Sequence, residues 1–264
     1  MLRPSQRVLG QERVVERAAG EARAPYLPRL GICPVDNGRF WGLPADSRGM
    51  SDLNSGPDGL VRPTWATTNT LMREYYDTEW GVPVTGEADV FERIVLESFE
   101  VGLSWATILR KRPAFREAFH HFDPDVVAAY GPDDVERLMG DERIIRNRGK
   151  IEATIQGAKS TIALRPEGGL ANFVWSFQPE YTLMPTTFSE LPKDTPESSA
   201  LAKALKSKGF NYVGPVNMLA LMEAIGIIDT HLVGSHRRGS SGLFTKDGRA
   251  KHRGVPPKSK GGAS

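Results

Sequence analysis

Val90, Ile94 and Val101 fall on one row of a helix at four-three-four spacing, and the residue that completes the row is Glu97. An acid in an apolar row costs stability unless something pairs with it. Tyr75, Tyr76 and Trp80 precede this helix, Trp105 follows it, and Trp65 lies further upstream. Tyr75 and Trp105 flank Glu97 in sequence. Rings around one carboxylate suit a flat, electron-poor, cationic heterocycle such as a charged nucleobase. The rings supply stacking and cation–π attraction of about 0.5–2 kcal/mol each. The carboxylate accepts from exocyclic amine or ring N–H donors and offsets positive charge. The alternative is a surface ion pair with Arg93, one turn back, worth about a few tenths of a kcal/mol in that orientation. Trp80 and Trp175 read as core.

A second set of chemistry-bearing residues lies in DVERLMGDERIIRNRGKIEATIQGA, residues 134–158. It reads as helix, short basic turn, helix. The turn carries Ile145, Arg146, Asn147, Arg148, Gly149 and Lys150. A glycine lets the backbone approach a ligand closely, and the open amides of a helix N-terminus form an anion site. This is the shape of a helix-hairpin-helix, which grips a phosphate backbone without reading sequence. A solvated basic turn between two core helices is the alternative.

The histidines do not form a metal site by spacing. His120 and His121 are adjacent and point in different directions on a helix; His231 and His236 have no cysteine near them. Cys33 is the one cysteine, which excludes an intrachain disulfide framework and a multi-cysteine metal site. No Gly-rich phosphate loop, nucleophile elbow or HExxH is present.

The elements that must position these residues read as helices. Residues 87–101 form the first, and a short helix opens at Pro113. Asp123-Pro124, Gly131-Pro132 and Thr195-Pro196 each look like a cap followed by proline at the first helical position. Further helices are expected over 144–164, 170–177, 196–208 and 213–225. Period-two alternation is absent, and the Asp-Gly pairs at Asp58 and Asp247 lie in the polar ends. The class is all-α, with many short helices.

The 264 residues allow one or two domains. Residues 1–60 read as an irregular extension, with a short helix over 11–23. Met50 resembles a natural start, so residues 1–49 are either a mis-assigned extension or a functional leader. Residues 61–236 form the globular domain. Residues 237–264 are rich in Gly, Ser, Lys and Arg and read as a disordered basic tail. That tail carries eight Lys or Arg against one Asp, and residues 1–60 carry eight against seven. Removing these +7 and +1 contributions from the total of +2 leaves the globular part at −6. Nucleic acid must therefore be held by a local basic patch and backbone amides rather than by bulk charge. No apolar run approaches the ~20 residues of a membrane span. The N-terminus lacks the apolar segment of a secretory signal, so the expected location is cytoplasmic.

The stretches YYDTEWGVP, LESFEVGLSWATILRKR, FDPDVVAA, ERIIRNRGKIEATI, FVWSF and KALKSKGFNYVGP together resemble the DNA-3-methyladenine glycosylase I (Tag) family. The resemblance runs from about Arg62 to Gly234. It implies the helix-hairpin-helix glycosylase fold and monofunctional excision of 3-methyladenine from alkylated double-stranded DNA by base flipping. It further implies that Glu97 is the base-recognising catalytic acid. Tyr75 and Trp105 match base-pocket aromatics, and Trp65 a further aromatic at the rim. Gly102 and Leu103 match the turn that enters the DNA stack, and the segment from Ile144 through Ile145, Arg146, Asn147, Arg148 and Gly149 to Lys150 matches the DNA-gripping hairpin. The expected partner is DNA, bound by a monomer.

The chain departs from the family at three places. The family commonly ties its termini with zinc on two Cys and two His; the matching positions here are Pro63, Tyr76, His231 and Ser235. One ligand does not make a structural zinc site, so no cofactor is expected, with packing around Tyr76 in its place. Arg143 and Ser98 stand where the family often has glycine. Two other functions remain open at this point: a broader alkylpurine glycosylase, and a non-catalytic protein that binds alkylated DNA.

Overall fold

The fold is described from a computed structural model, which covers residues 52–256. The expected helix over 11–23 and the question of residues 1–49 lie outside the described residues.

α2 (Glu87–Glu100) is the central element. Glu87 and Asp89 in its first turn complement the helix dipole. From Val90 to Glu100 every residue but Arg93 is buried, so this helix has no solvated face along its second half. It packs against α3 (Trp105–Ala118), α6 (Arg148–Leu164), α7 (Gly169–Trp175) and α9 (Pro215–Ala224). α1 (Thr70–Thr78) lies against α3 and starts at Asn69, whose side chain accepts from Met72 N at 3.0 Å.

The cap-plus-proline signals each open a helix. Asp123 caps α4 (Pro124–Ala128), Gly131 precedes α5 (Pro132–Gly140), and Thr195 caps α8 (Pro196–Ser207). Proline supplies a preset φ at a position whose N–H has no intrahelical partner. Pro113 is different. It lies inside α3 rather than at the start of a new helix, where it forgoes one backbone hydrogen bond. The helix expected from residue 144 begins at Arg148, because residues 144–147 are the turn that joins α5 to α6.

The described residues are mostly helical, as the all-α class expects, with two short strands added. β1 (Leu53–Ser55) pairs antiparallel with β2 (Val61–Pro63), with Asn54 opposite Arg62. The Asp58-Gly59 pair makes the connecting turn, with Gly59 at φ +74°. Three-residue strands are too short to show an alternating pattern. The buried Arg62 guanidinium bonds Asp58 at 2.7 Å and Asp77 on α1 at 2.8 Å, which ties this hairpin to the helical body. Residues 53–60 therefore do not belong to the irregular extension expected over 1–60.

The expectation of a disordered tail from Arg237 does not hold for residues 237–256. Arg238 donates to the carbonyls of Asp229 and His231, and Gly239 N donates to the Asp229 carboxylate at 2.9 Å. Ala250 N donates to Glu180 O, and Thr182 N to Gly248 O, each at 2.8 Å. The Asp247-Gly248 pair closes a tight turn here, with Gly248 N donating to Thr245 O. Backbone pairing of this kind needs no apolar pattern, so composition alone does not reveal it.

Candidate active site

Three helices bring Tyr75, Glu97 and Trp105 together. Tyr75 is on the buried face of α1, Glu97 is one turn from the end of α2, and Trp105 is the first residue of α3. Ser104 sets the start of α3 by accepting from Thr107 N at 3.3 Å, which turns Trp105 back toward α1. The Tyr75 and Trp105 rings lie 5.5 Å apart at 51°. Glu97 is only 3% exposed and Trp105 only 4%. Glu97 Oε2 and Trp105 Nε1 have no hydrogen-bond partner among the described residues. A buried polar atom without a partner costs about 1–3 kcal/mol, so the site is organised for a ligand that supplies the missing donor and acceptor.

The electrostatics favour a cationic one. Burial, and then the charge of Glu223 on α9, hold the Glu97 carboxyl well above the usual carboxylate range. Burial pushes the Tyr75 hydroxyl up as well, which leaves it neutral. The ion pair considered for Glu97 does not form. Arg93 instead bonds Glu79 at 2.9 Å, and Arg112 bonds the same carboxylate at 2.6 Å. Glu79 is thereby a structural acid, held at about 2, where its two arginine partners outweigh the cost of its burial. Asp77 is likewise structural, paired with Arg62 and His236.

The α2–α3 turn links Glu97 to Trp105 across this buried site. Val101 and Leu103 are exposed, and Gly102 has φ +87°, a conformation that favours glycine. Lys150 fixes the turn from below. Its ammonium donates to Phe99 O at 3.0 Å and Val101 O at 2.9 Å, and the residue is 8% exposed. This corrects the placement of Lys150 as a phosphate contact: the charge points inward, onto the carbonyls at the end of α2, where a cation complements the dipole.

The rest of the hairpin keeps the expected form. Ile145 is half-buried against the core, Asn147 caps α6 by accepting from Lys150 N, and Arg146 and Arg148 are exposed. Arg148 bonds Glu136 at 2.8 Å, and Arg146 lies 3.6 Å from Glu142. Such exposed pairs are weak. Gly149 sits under the Tyr212 hydroxyl, so close that a Cβ there would lie 2.6 Å from it. Tyr212 itself is exposed at φ +55° beside this turn, a placement with no sequence signal. Arg143 spans Asp141 and Glu117, and the Ser98 hydroxyl bonds Ile94 O, so both departures from glycine are absorbed locally.

Trp65 packs edge-on against Tyr76 at 5.1 Å and Trp80 at 5.6 Å. With Glu223 and His231 it lines a small cavity, so Glu223 stands between this ring cluster and Glu97. At the positions that match a zinc set, Tyr76 is buried with its hydroxyl bonded to the Ser235 hydroxyl, and the His231 ring bonds Asp229 at 2.7 Å. Pro63 has no donor atom. Among the described residues no three His, Cys, Asp or Glu side chains converge as a metal-ligand set. These residues do not fit a zinc ion.

Sequence reading missed Glu100, which is 1% exposed. The signal was present: an acid three residues after Glu97 on the same helix lies on the same face. It also missed Glu223.

The comparisons agree with this geometry. A profile of the methyladenine glycosylase family matches residues 65–238. The chain is 46% identical over 179 residues to DNA-3-methyladenine glycosylase 1 of Escherichia coli (strain K12), covering 66% of this chain and 95% of that one. A crystal structure of 3-methyladenine DNA glycosylase I superposes with a TM-score of 0.64 at 42% identity, covering 66% of this chain and 98% of the other. The Staphylococcus aureus enzyme, solved for its recognition of 3-methyladenine, superposes at 0.63 with 32% identity, over 66% and 94%. The chain belongs to the methyladenine glycosylase family.

Proposed function

We infer that this chain is a DNA-3-methyladenine glycosylase of base-excision repair, which hydrolyses the N-glycosidic bond of 3-methyladenine in alkylated DNA. The observation that carries the reading is the pair of unpartnered buried atoms, Glu97 Oε2 and Trp105 Nε1, set against the Tyr75 and Trp105 rings. The family supplies the ligand class, and the pocket supplies the chemistry that would hold it.

The roles of the individual residues are part of the proposal. The target nucleotide leaves the duplex, at a cost of about a few kcal/mol that is smaller for a damaged base. Leu103, exposed on the α2–α3 turn with Gly102, fills the gap. Arg146, Arg148 and the open amides at the start of α6 hold the phosphates. Glu97 accepts from the base edge, and Tyr75 and Trp105 pack on its faces. Methylation at N3 gives the base a positive charge, so it departs as a neutral molecule without prior protonation. The C1′–N9 bond breaks, its electron pair goes to the base, and water adds at C1′ with loss of one proton. The products are free 3-methyladenine and an abasic sugar. Trp65 contributes to the rim through Glu223. Double-stranded DNA as substrate, action as a monomer and a cytoplasmic location belong to the same proposal. Among the described residues no helix is long and apolar enough to cross a membrane.

Chromatography of the bases released from methylated duplex DNA tests this reading. Release of 3-methyladenine with 7-methylguanine left in place is expected. Release of both at similar rates would assign a broader alkylpurine glycosylase, and binding without release would assign a non-catalytic reader of damage.

A further inference from the structure

Glu100 is the second acid of the pocket, and the roles above do not use it. It follows Glu97 by three residues on α2. Two like charges at this spacing repel, and both side chains are buried, Glu97 at 3% and Glu100 at 1% exposure, so each carboxyl is driven toward the neutral form in which one can donate to the other. A hydrogen bond between two carboxyl groups requires a proton on one of them. Each acid keeps one oxygen, Glu97 Oε2 and Glu100 Oε1, without a partner among the described residues. Trp105 Nε1, also unpartnered, is a further polar atom of this buried site.

The groups around the pair favour at least one retained proton. From α2 itself comes Arg93, committed to Glu79. From α9 comes the acid Glu223, from α1 the neutral Tyr75, and from α3 the uncharged Trp105. From α6 comes Lys150, whose hydrogen bonds go to Phe99 O and Val101 O. Burial, and then the neighbouring acids, raise both carboxyls above their usual range. Two carboxyls this close do not both ionise near neutral pH.

We propose that Glu100 is a positioning residue for Glu97: it holds the pair's proton, donates it to one Glu97 oxygen, and so fixes the other, charged, toward the base. The pair then carries one negative charge against the one positive charge of an N-alkylated purine. An unalkylated purine, being neutral, leaves that charge buried and uncompensated. The inference rests on the reading of Glu97 as the base-recognising acid.

The test is the rate of 3-methyladenine release from methylated duplex DNA, followed from about pH 5 to about pH 10. The proteins compared are the wild type, Glu100→Gln and Glu100→Leu, each checked for fold by circular dichroism. Glutamine keeps a donor to Glu97 and does not titrate. Its neutral rate is expected within about twofold of the wild type, with the alkaline fall of the wild-type profile gone. Leucine removes the donor, so Glu97 holds its own proton more tightly. Its acid limb is expected to move up by about one pH unit, with a neutral rate about tenfold lower. An alkaline fall that persists in Glu100→Gln belongs to Lys150 or to the DNA and overturns the proposal; so does a wild-type profile in Glu100→Leu. Carbon-13 NMR titration of the wild-type glutamate carboxyls gives an independent reading. It is expected to show two coupled steps, both above the usual carboxylate range, with Glu100 keeping its proton after Glu97 has lost its own; two carboxyls both ionised at neutral pH overturn the proposal. A wild type that releases no base at any pH contradicts the glycosylase reading instead, and the NMR titration then decides the pair separately.

Discussion

Glu97 is held in its buried position by the helices around it rather than by a cation of its own. Arg93, the cation nearest in sequence, is given to Glu79, and Oε2 is left for a ligand. The arrangement has a consequence for stability. The folded-state pKa values of Glu97 and Glu100 lie above the ordinary carboxylate value. The folded protein therefore binds more protons than the unfolded chain. Their contribution is fully present below the unfolded value of about 4.3 and is lost as pH rises through the folded values. Urea midpoints of the ligand-free wild type should therefore fall, relative to those of Glu97→Gln, on going from weakly acid to alkaline pH. Parallel midpoints across that window would contradict the burial of these acids. At this scale the sequence was half legible. Glu97 announced itself as an acid in an apolar row. Glu100 offered only its spacing, three residues after Glu97; its burial depends on the turn and α6 closing over the end of α2. The charge of Lys150 was visible, but its direction was not, since it is set by carbonyls about fifty residues away in sequence.

At the scale of elements, Lys150 joins the hairpin between α5 and α6 to the turn that carries Leu103. Its two hydrogen bonds end on carbonyls that α2 leaves open. Lys150→Met should lower stability in urea unfolding by about 1.5–3 kcal/mol, and slow base release by loosening the Gly102-Leu103 turn. Arg146→Ala should leave stability within about 0.5 kcal/mol, because the residue is exposed and its pair with Glu142 is long. It should weaken DNA binding uniformly across sequences and lower the slope of log affinity against log salt by about one. Equal stability losses in the two variants would undo the distinction between an inward and an outward cation. The helices themselves were legible where a cap preceded a proline, as at Asp123, Gly131 and Thr195. Pro113 misled, because proline favours a first turn in general but here sits inside α3. The β1–β2 hairpin was hidden by its length, although its Asp58-Gly59 turn was in plain view.

For the molecule as a whole, aromatic packing joins the ends of the domain, and no zinc set is found there among the described residues. Tyr76 stacks on Trp80 and bonds Ser235, and His231 packs edge-on to Trp80 at 4.6 Å. We propose that this packing does the tying, so dialysis against a chelator should leave the melting temperature unchanged; one zinc per chain by elemental analysis would contradict it. Truncating Tyr76 to Ala should cost about 3–5 kcal/mol, as for other large buried aromatics. The substitution of the zinc positions was legible from Pro63, Tyr76 and Ser235. The docking of residues 237–256 was not, because it rests on backbone pairing and on Arg238 over Asp229 rather than on an apolar pattern. The central claim is that this fold presents Glu97 to a cationic base and releases it. The most direct measurement compares free 3-methyladenine released from methylated duplex DNA by the wild type and by Glu97→Gln, with matched circular dichroism. Release by the wild type and a fall of about 100-fold or more in the variant are predicted. Equal release by the two proteins would contradict the account.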